Sequence, residues 1–463
     1  MLLNGFVSRA NSECDSSSDI TSVANRPRRN PWCWIPTLYL AEGLPYVVVM
    51  TVSVIMYKGL GVSNTDIALY TSWLYLPWVI KPLWSPVVDL LKTRRLWIWV
   101  MQLLVGAGLA GVAFTISSSN FFQWTLAFFW LLAFSSATHD IAADGFYMLA
   151  TTEREQAFFV GIRNTFYRVA TICGQGLLVI LAGTIQRRTG NVAFAWLVTM
   201  AVASGLFVCF GVYHLFALPC PANDRPGARQ SGGVCQSAPG RMEAGSTLKC
   251  FFGKFLATFI SFFQKPGIAA LLLFLLLYRF GEAQLVKMVA PFLLDARETG
   301  GLGLTTEQVG FVYGTVGVMA LLLGGLLGGL VVSRQGLKFW LWPMVLAIHL
   351  PDAMFIYLAY AQPDNLFMVN LCVAIEQFGY GFGFTAYMLY MIYLARGEHQ
   401  TAHYAICTGF MALGMMLPGL WSGWLQETIG YPHFFVWVIL ATIPSFLVVL
   451  FIPLDPEFGK KSK

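Results

Sequence analysis

The chain has 463 residues, of which 57% are hydrophobic and only 11% charged, with a mean hydropathy of +0.64. Soluble domains carry roughly 25% charged residues, so this composition excludes a soluble enzyme or binding module and implies an all-α integral membrane protein. The formal net charge of +6 follows the loops, as shown below, and does not indicate nucleic-acid binding.

Residues 1–32 are polar and Ser-rich, contain Arg26, Arg28 and Arg29, and hold no apolar core of about 7–15 residues; they read as a cytoplasmic tail and not as a secretory signal. Apolar runs long enough to cross a hydrocarbon core, about 20 residues each, follow in order. They lie near 34–57, 67–90, 96–116, 122–150, 156–185, 193–217, 267–293, 306–333, 338–361, 366–396, 401–427 and 432–453, which predicts twelve transmembrane helices. A Pro-, Gly- and Ser-rich stretch at about 219–250 divides them into two six-helix bundles, 33–218 and 267–454, with a linker at 219–266 and a C-terminal tail at 455–463. In the linker, KCFFGKFLATFISFFQKPG (249–267) sets aromatic clusters among Lys249, Lys254 and Lys265, the pattern of a basic amphipathic helix lying on the inner leaflet.

With the N-terminus inside, twenty of the 29 Lys and Arg fall on cytoplasmic segments and only Lys58, Arg187, Arg188 and Arg297 fall outside. The asymmetry places both termini in the cytoplasm. The nine cysteines form no C-x-x-C pair and none is predicted in an outer loop, so neither disulfides nor zinc are expected.

The two bundles share a register. Ser85 and Asp89 correspond to Gly329 and Ser333, and Gln156 to Gln400, each 244 positions apart; Gly183 and Gly423 are 240 apart, Trp196 and Trp437 are 241 apart. A parallel repeat of this kind places a substrate site between halves, near the bilayer midplane.

Charges inside the spans are the strongest functional signal. An Asp, Lys or Arg at mid-membrane costs roughly 2.5–3.5 kcal/mol, whereas a Leu or Phe returns only about 0.3–0.6 kcal/mol. FSSATHDIAADGFYMLA (134–150) nevertheless carries His139, Asp140 and Asp144 on helix 4. Counting depth from the hairpin near Glu153 at about 1.5 Å per residue sets Asp144 level with Arg163 and Asp140 level with Arg168, with Lys81 of helix 2 at a similar level. Arg163, nearest the surface, is expected to snorkel to lipid phosphate. Helix 7 carries LYRFGEAQLVK with Arg279, Glu282, Gln284 and Lys287; Glu42 on helix 1, His349 and Asp352 on helix 9, and Glu376 with Gln377 on helix 10 complete the set. Five bases against six acids imply mutual neutralisation with one carboxyl free to take up a proton. The weaker candidates are Tyr387, Tyr390 and Tyr393 for stacking on a sugar and His399 with His403, whose spacing lacks the Glu of a metal helix and which are expected at the membrane interface. The glycines of GGLLGGLVV (324–332) permit close helix approach.

WVIKPLWSPVVDLLKTRR (78–95), HDIAADGFYML (139–149), NTFYRVA (164–170), LYRFGEA (277–283), IEQFGYGFGFTAYML (375–389) and GLWSGWLQETIGY (419–431) together resemble the AmpG permease family of the major facilitator superfamily, from about residue 32 to 454. The resemblance implies proton-driven import of N-acetylglucosaminyl anhydro-N-acetylmuramyl peptides and relatives across the bacterial inner membrane; a monomer without cofactor or metal is expected. It assigns Lys81, Asp140, Asp144 and Arg168 to a polar cluster of helices 2, 4 and 5, and Glu282 to an acid position on helix 7; Glu42, His139 and Tyr147 depart from the family pattern. Asp89, Lys92, Arg94 and Arg95 resemble the superfamily's cytoplasmic gating motif, with Ser333, Arg334 and Lys338 as a reduced copy. The acetyl-CoA transporter family shares several of these motifs, but its cargo carries roughly four phosphate charges and needs several unpaired Arg or Lys; here acids offset the bases. The expected partners are a small-molecule substrate, protons and lipid. With no nucleophile elbow, P-loop or zinc motif in the chain, an enzyme is not expected.

Overall fold

The computed structural model describes residues 29–221, 224, 253, 256–397 and 400–460, with the backbone alone at 86, 89, 90, 153, 157 and 401. All regular structure among these residues is helical. A segment in hydrocarbon must satisfy its own backbone N–H and C=O groups, which a helix does without neighbours.

The helices in chain order are α1 (Pro31–Gly59), α2 (64–91), α3 (Arg94–Thr115), α4 (Phe121–Ala150), α5 (153–189), α6 (Val192–Ala217), α7 (Ile268–Leu294), α8 (Thr306–Gln335), α9 (Leu337–Ala361), α10 (Leu366–Ala395), α11 (400–429) and α12 (431–449). Ten stretches are long and apolar enough to cross a membrane, and the last, Ala402–Val449, is two helices joined at Gly430. There φ is 75° and ψ 162°, a conformation open to glycine, and Pro432 follows. The twelfth helix, α2, is shorter in each part because it is interrupted between Asn64–Trp73 and Leu76–Leu91.

The helices are less continuous than hydropathy predicts. α7, expected unbroken over 267–293, stops at Leu277 and restarts at Phe280, with Arg279 at φ −112° and ψ 19°. α1, α5 and α8 each contain a π-helical turn, at Val48–Val52, Ile172–Leu178 and Val312–Gly317. The glycine run of α8 does bring helices into backbone contact: a Cβ at Gly324 would stand 2.1 Å from the Phe378 carbonyl of α10, and one at Gly381 would stand 2.0 Å from that of Leu321.

The described residues form two compact units. The first comprises those of Met1–Tyr46, Leu83–Ala170 and Leu197–Gln236, with a core around Trp34, Leu38, Phe146 and Tyr147. The second comprises those of Val47–Pro82, Thr171–Trp196 and Ser237–Lys463, centred on Phe274, Tyr278, Tyr387 and Tyr390. The ends of α1, α2 and α5 distal to the chain termini thus cluster with α7–α12, and the reason lies in the contacts described below.

Of the linker segment 249–267, residues 249–252, 254 and 255 lie outside the described residues. Residues 256–263 are helical, with Leu256, Ile260 and Phe263 exposed and Phe262 packed on His403 and Phe410. Lys265 donates to the carbonyls of Leu394 and Arg396. Cys220 takes part in a disulfide, contrary to expectation; the absence of C-x-x-C spacing tests only near neighbours in sequence.

Candidate functional site

In the first unit, α1, α4 and α5 gather the charges of helix 4. Arg163 donates to Asp144 at 2.6 Å, Tyr39 donates to the same carboxylate at 3.2 Å, and the guanidinium lies 4.4 Å from the Tyr39 ring centroid and 4.9 Å from that of Tyr147. Arg163 is therefore engaged with Asp144 and two aromatic faces, which correct the expectation that it snorkels to lipid: a partner at the same depth outcompetes the longer reach. Asp140 and Arg168, with Glu42 of α1, act electrostatically on Tyr167 of α5, and Glu42 also acts on Tyr39 and Arg163. Two acids on one apolar helix are thus met by tyrosines and arginines of the neighbouring helices.

Sequence reading missed a second polar string in this unit. Thr37, His214, Gln102 and His139 are joined in that order, at 3.0, 2.8 and 2.9 Å, across α1, α6, α3 and α4. Gln102, His139 and His214 are buried, so each hydrogen bond replaces water that cannot reach it. Gln102→Leu removes the central link and leaves two imidazoles short of a partner. Such a loss costs about 1–3 kcal/mol per group, so the variant is expected to unfold at lower temperature in detergent, as thermal scanning of the purified protein would show.

At the start of α3 the predicted gating arginines are held in place. Arg94 and Arg95 donate their backbone N–H groups to Asp224 at 2.8 and 3.0 Å, and the Thr93 hydroxyl caps Leu96 N–H at 3.3 Å. Arg94 is buried over Gly145 of α4, where a Cβ would meet its Cζ at 2.4 Å, and Arg95 donates to the Leu215 carbonyl. Burial pushes the Asp224 carboxyl up from its ordinary range, against the pull of the two N–H donors and both arginines. Asp224→Ala removes this cap and is expected to destabilise by about 0.5–2 kcal/mol, measured as a lower melting temperature. The Asp89 side chain lies outside the described residues, and Arg334 is exposed at the end of α8. Lys81 is half-buried on α2.

In the second unit, the break in α7 carries a buried ion pair. Arg279 Nε and Nη2 donate to the two oxygens of Glu282 at 2.6 and 2.8 Å. Nη2 also donates to the Tyr380 hydroxyl at 2.7 Å, and the guanidinium sits 4.8 Å from the Phe384 ring centroid. Glu282 is 0% exposed and occupies the first turn of the second half-helix, where the macrodipole favours an anion. Five residues on, Lys287 is 4% exposed. Its ammonium donates to Thr71 at 2.9 Å and lies 5.5 Å from the Tyr75 ring centroid, with no carboxylate within ion-pair distance among the described residues. Glu376 is buried beside Gln377 on α10. Tyr387 is fully buried, stacked 5.0 Å from Tyr278, with its hydroxyl donating to the Leu275 carbonyl at 2.5 Å. Tyr390 likewise donates to the Pro453 carbonyl at 3.3 Å. His403 is buried, with its Nε2 3.0 Å from the Ser261 hydroxyl, and His399 lies outside the described residues.

The distal end of this unit is closed by a pair of equivalent contacts. Gly183-x-x-Gln186-x-x-x-Gly190 on α5 recurs as Gly423-x-x-Gln426-x-x-x-Gly430 at the end of α11, 240 positions on, and Asn64 and Thr65 at the start of α2 recur as Thr306 and Glu307 of α8, 242 positions on. The contacts recur with them. A Cβ at Gly183 would lie 2.3 Å from Glu307 N, and one at Gly423 would lie 2.0 Å from Asn64 O. Thr306 donates to Gln186 at 3.0 Å, as Asn64 donates to Gln426 at 2.5 Å; Arg187 pairs with Glu307 at 3.3 Å, as Glu427 accepts from Thr65 at 2.5 Å. On the α2–α11 side the lock is larger: Lys58 pairs with Asp295 at 2.5 Å, and Tyr431 donates to Asp295 at 2.6 Å while accepting from Asn64 at 2.9 Å. None of Lys58, Asn64, Asp295, Gln426 and Tyr431 was a candidate from sequence, although the repeated Gly-x-x-Gln spacing signals Gln426.

The model of the Major Facilitator Superfamily matches residues 37–417. The chain belongs to the major facilitator superfamily. It is a multi-pass membrane transporter of that superfamily and not an enzyme. The resemblance to AmpG permeases holds as well. The anhydromuropeptide permease of Escherichia coli K12 is 24% identical over 422 residues, spanning 89% of this chain and 78% of that protein. A Rickettsia conorii relative that carries the transporter name AmpG 4 is 24% identical over 430 residues, 90% of this chain and 94% of its own. Solved superfamily members share the fold: an inward-facing bacterial homologue of the human lysosomal transporter Spinster (TM-score 0.62, 15% identity, 90% and 94% of the two chains) and the nucleoside transporter NupG (TM-score 0.63, 14% identity, 91% and 98%).

Proposed function

We propose that this carrier imports muropeptides, N-acetylglucosaminyl-anhydro-N-acetylmuramyl peptides and related amino sugars, across a bacterial inner membrane by proton-coupled alternating access. The reading rests chiefly on the Arg279–Glu282 pair at the break of α7, in a chain similar to a protein named anhydromuropeptide permease. Discontinuous transmembrane helices supply the ion and substrate sites of secondary carriers. A bidentate arginine fits a substrate carboxylate as well as it fits Glu282, so cargo can exchange with the internal acid. Lys287, buried beside Thr71 without an acid, supplies a second carboxylate contact, and Lys81 and Arg168 are further anion-binding groups of α2 and α5. Asp140, Asp144, Glu42 and Glu376 are the acids that complement an ammonium group or take up a proton.

With both termini in the cytoplasm, the Gly183 and Gly423 contacts form the outer gate in its shut state, and the six-helix halves 33–218 and 267–454 rock about the bound cargo. Arg94, Arg95, Asp89 and Arg334 belong to the inner gate. A proton crossing a 100 mV potential releases about 2.3 kcal/mol, enough to offset opening of a modest ion pair. The protein acts as a monomer. The test is counterflow of radiolabelled N-acetylglucosaminyl-anhydro-N-acetylmuramyl tripeptide in proteoliposomes, with unlabelled muropeptide or acetyl-CoA trapped inside. Label is expected to accumulate against muropeptide only; exchange against acetyl-CoA alone would reverse the assignment.

A further inference from the structure

α9 does not run straight through its span. After His349 it turns through Leu350–Asp352, with Pro351 unable to donate a backbone hydrogen bond, and resumes at Ala353. The turn delivers Asp352 to the interior of the second unit. Asp352 is 1% exposed, and both its carboxylate oxygens are buried without a hydrogen-bond partner. Glu376 of α10, also 1% exposed, accepts from Gln377 Nε2 at 3.0 and 3.3 Å, its only hydrogen bonds among the described residues.

Among the described residues no cation is paired with either acid. From α10 and α7, Glu376 and Glu282 act on Asp352 with like charge, and Glu282 acts on Glu376. Arg279 is committed to Glu282 through two hydrogen bonds. From α9 itself, His349 packs its ring against Tyr278 and Phe446. From α8, Tyr313 is a neutral phenol under the influence of Glu376 and Glu282. α12 carries no Asp, Glu, Lys or Arg, and its His433 is exposed. An ionised carboxylate in such an interior is disfavoured by several kcal/mol even after relaxation, and two neighbouring carboxyls titrate as a pair. A structural role fits poorly, because Asp352 makes no hydrogen bond that would hold helices together.

We propose that Asp352 and Glu376 form a proton-binding carboxyl pair that couples proton movement to the adjacent Arg279–Glu282 site, an inference that rests on the transport reading above. Loss of the proton leaves an extra negative charge facing Glu282, which competes for Arg279 and loosens its pair. Proton binding removes that charge and lets Arg279 re-engage Glu282.

The test compares wild type, Asp352→Asn and Glu376→Gln in proteoliposomes with radiolabelled anhydro-muropeptide as probe. Counterflow at equal pH needs no net proton transfer, whereas accumulation under an inward proton gradient does. One pH unit is worth about tenfold accumulation per proton. Asp352→Asn is expected to keep counterflow while losing that roughly tenfold accumulation, and Glu376→Gln is expected to lose the accumulation as well. Variants that accumulate the probe like wild type overturn the pair's role. Absence of counterflow in wild type would instead sink the transport reading, and the pair is then decided by infrared titration of the purified protein. There a protonated-carboxyl band lost at alkaline pH, and missing from Asp352→Asn or Glu376→Gln, supports the proposal. If neither variant folds, the wild-type band alone decides: a pH-sensitive band supports the pair, and an unchanging spectrum overturns it.

Discussion

Gly423→Val is expected to hold the distal lock open and to suppress uptake. A Cβ at this position would stand 2.0 Å from the Asn64 carbonyl and 2.8 Å from the Ala68 Cβ, so α2 and α11 cannot keep their present spacing. Overpacking of a fitted interface costs about 1–3 kcal/mol. In the proposed gate only the shut state contains this contact, so the cost would fall on one side of the conformational equilibrium and shift it by about 5- to 150-fold. Gly183→Val should act in the same direction through the equivalent contact with Glu307. The readout is alkylation of Ser72→Cys, in a cysteine-free background, by a membrane-impermeant maleimide added outside. Ser72 is fully buried, so labelling is slow in the parent and accelerated by Gly423→Val. Equal labelling rates together with normal uptake would show that the contact plays no part in gating.

Much of the architecture was legible because the membrane imposes it. Twelve apolar runs became twelve helices, since no other open structure satisfies the backbone in lipid. Depth counting placed Asp144 level with Arg163, and the two side chains meet at 2.6 Å. Counting along an axis fixes height but not rotation about it, so the burial of Tyr387 in the core of the second unit could not be read from its depth. The break at Tyr278–Arg279 was invisible for a different reason. No proline or glycine marks those two positions, and hydropathy averages across them; the interruption is stabilised by tertiary contacts of Arg279 with Glu282, Tyr380 and Phe384.

The distal lock shows what a repeat can carry beyond fold. The Gly183–Gly423 correspondence was visible in the chain, but its partners were not, because Asn64 and Glu307 are unremarkable polar residues at helix starts. Their equivalence emerges from the caps: Ser63 accepts from Asp66 N at 3.1 Å, and Thr305 accepts from Gln308 N at 3.2 Å, again 242 positions apart. Each cap sets the first turn of its helix at the height where a glycine of the partner helix admits backbone contact. Local helix-start chemistry thus positions the backbone contacts of the distal lock.

The Arg279–Glu282 pair separates a structural from a functional reading by its own energetics. Glu282→Gln leaves a guanidinium buried at the helix break with no counter-charge, and loss of one partner of a buried pair costs about 3–5 kcal/mol. The single variant is therefore expected to melt well below wild type in detergent and to transport nothing. Arg279→Met with Glu282→Leu removes both charges at similar volume, and such replacements are often neutral or stabilising by about 1–4 kcal/mol. The double variant should regain wild-type stability. If the pair only joined the two halves of α7, transport would return with stability. If Arg279 receives the cargo's carboxylate, the double variant is a stable protein in which both counterflow and proton-driven uptake are abolished, and restored counterflow would remove Arg279 from the substrate site.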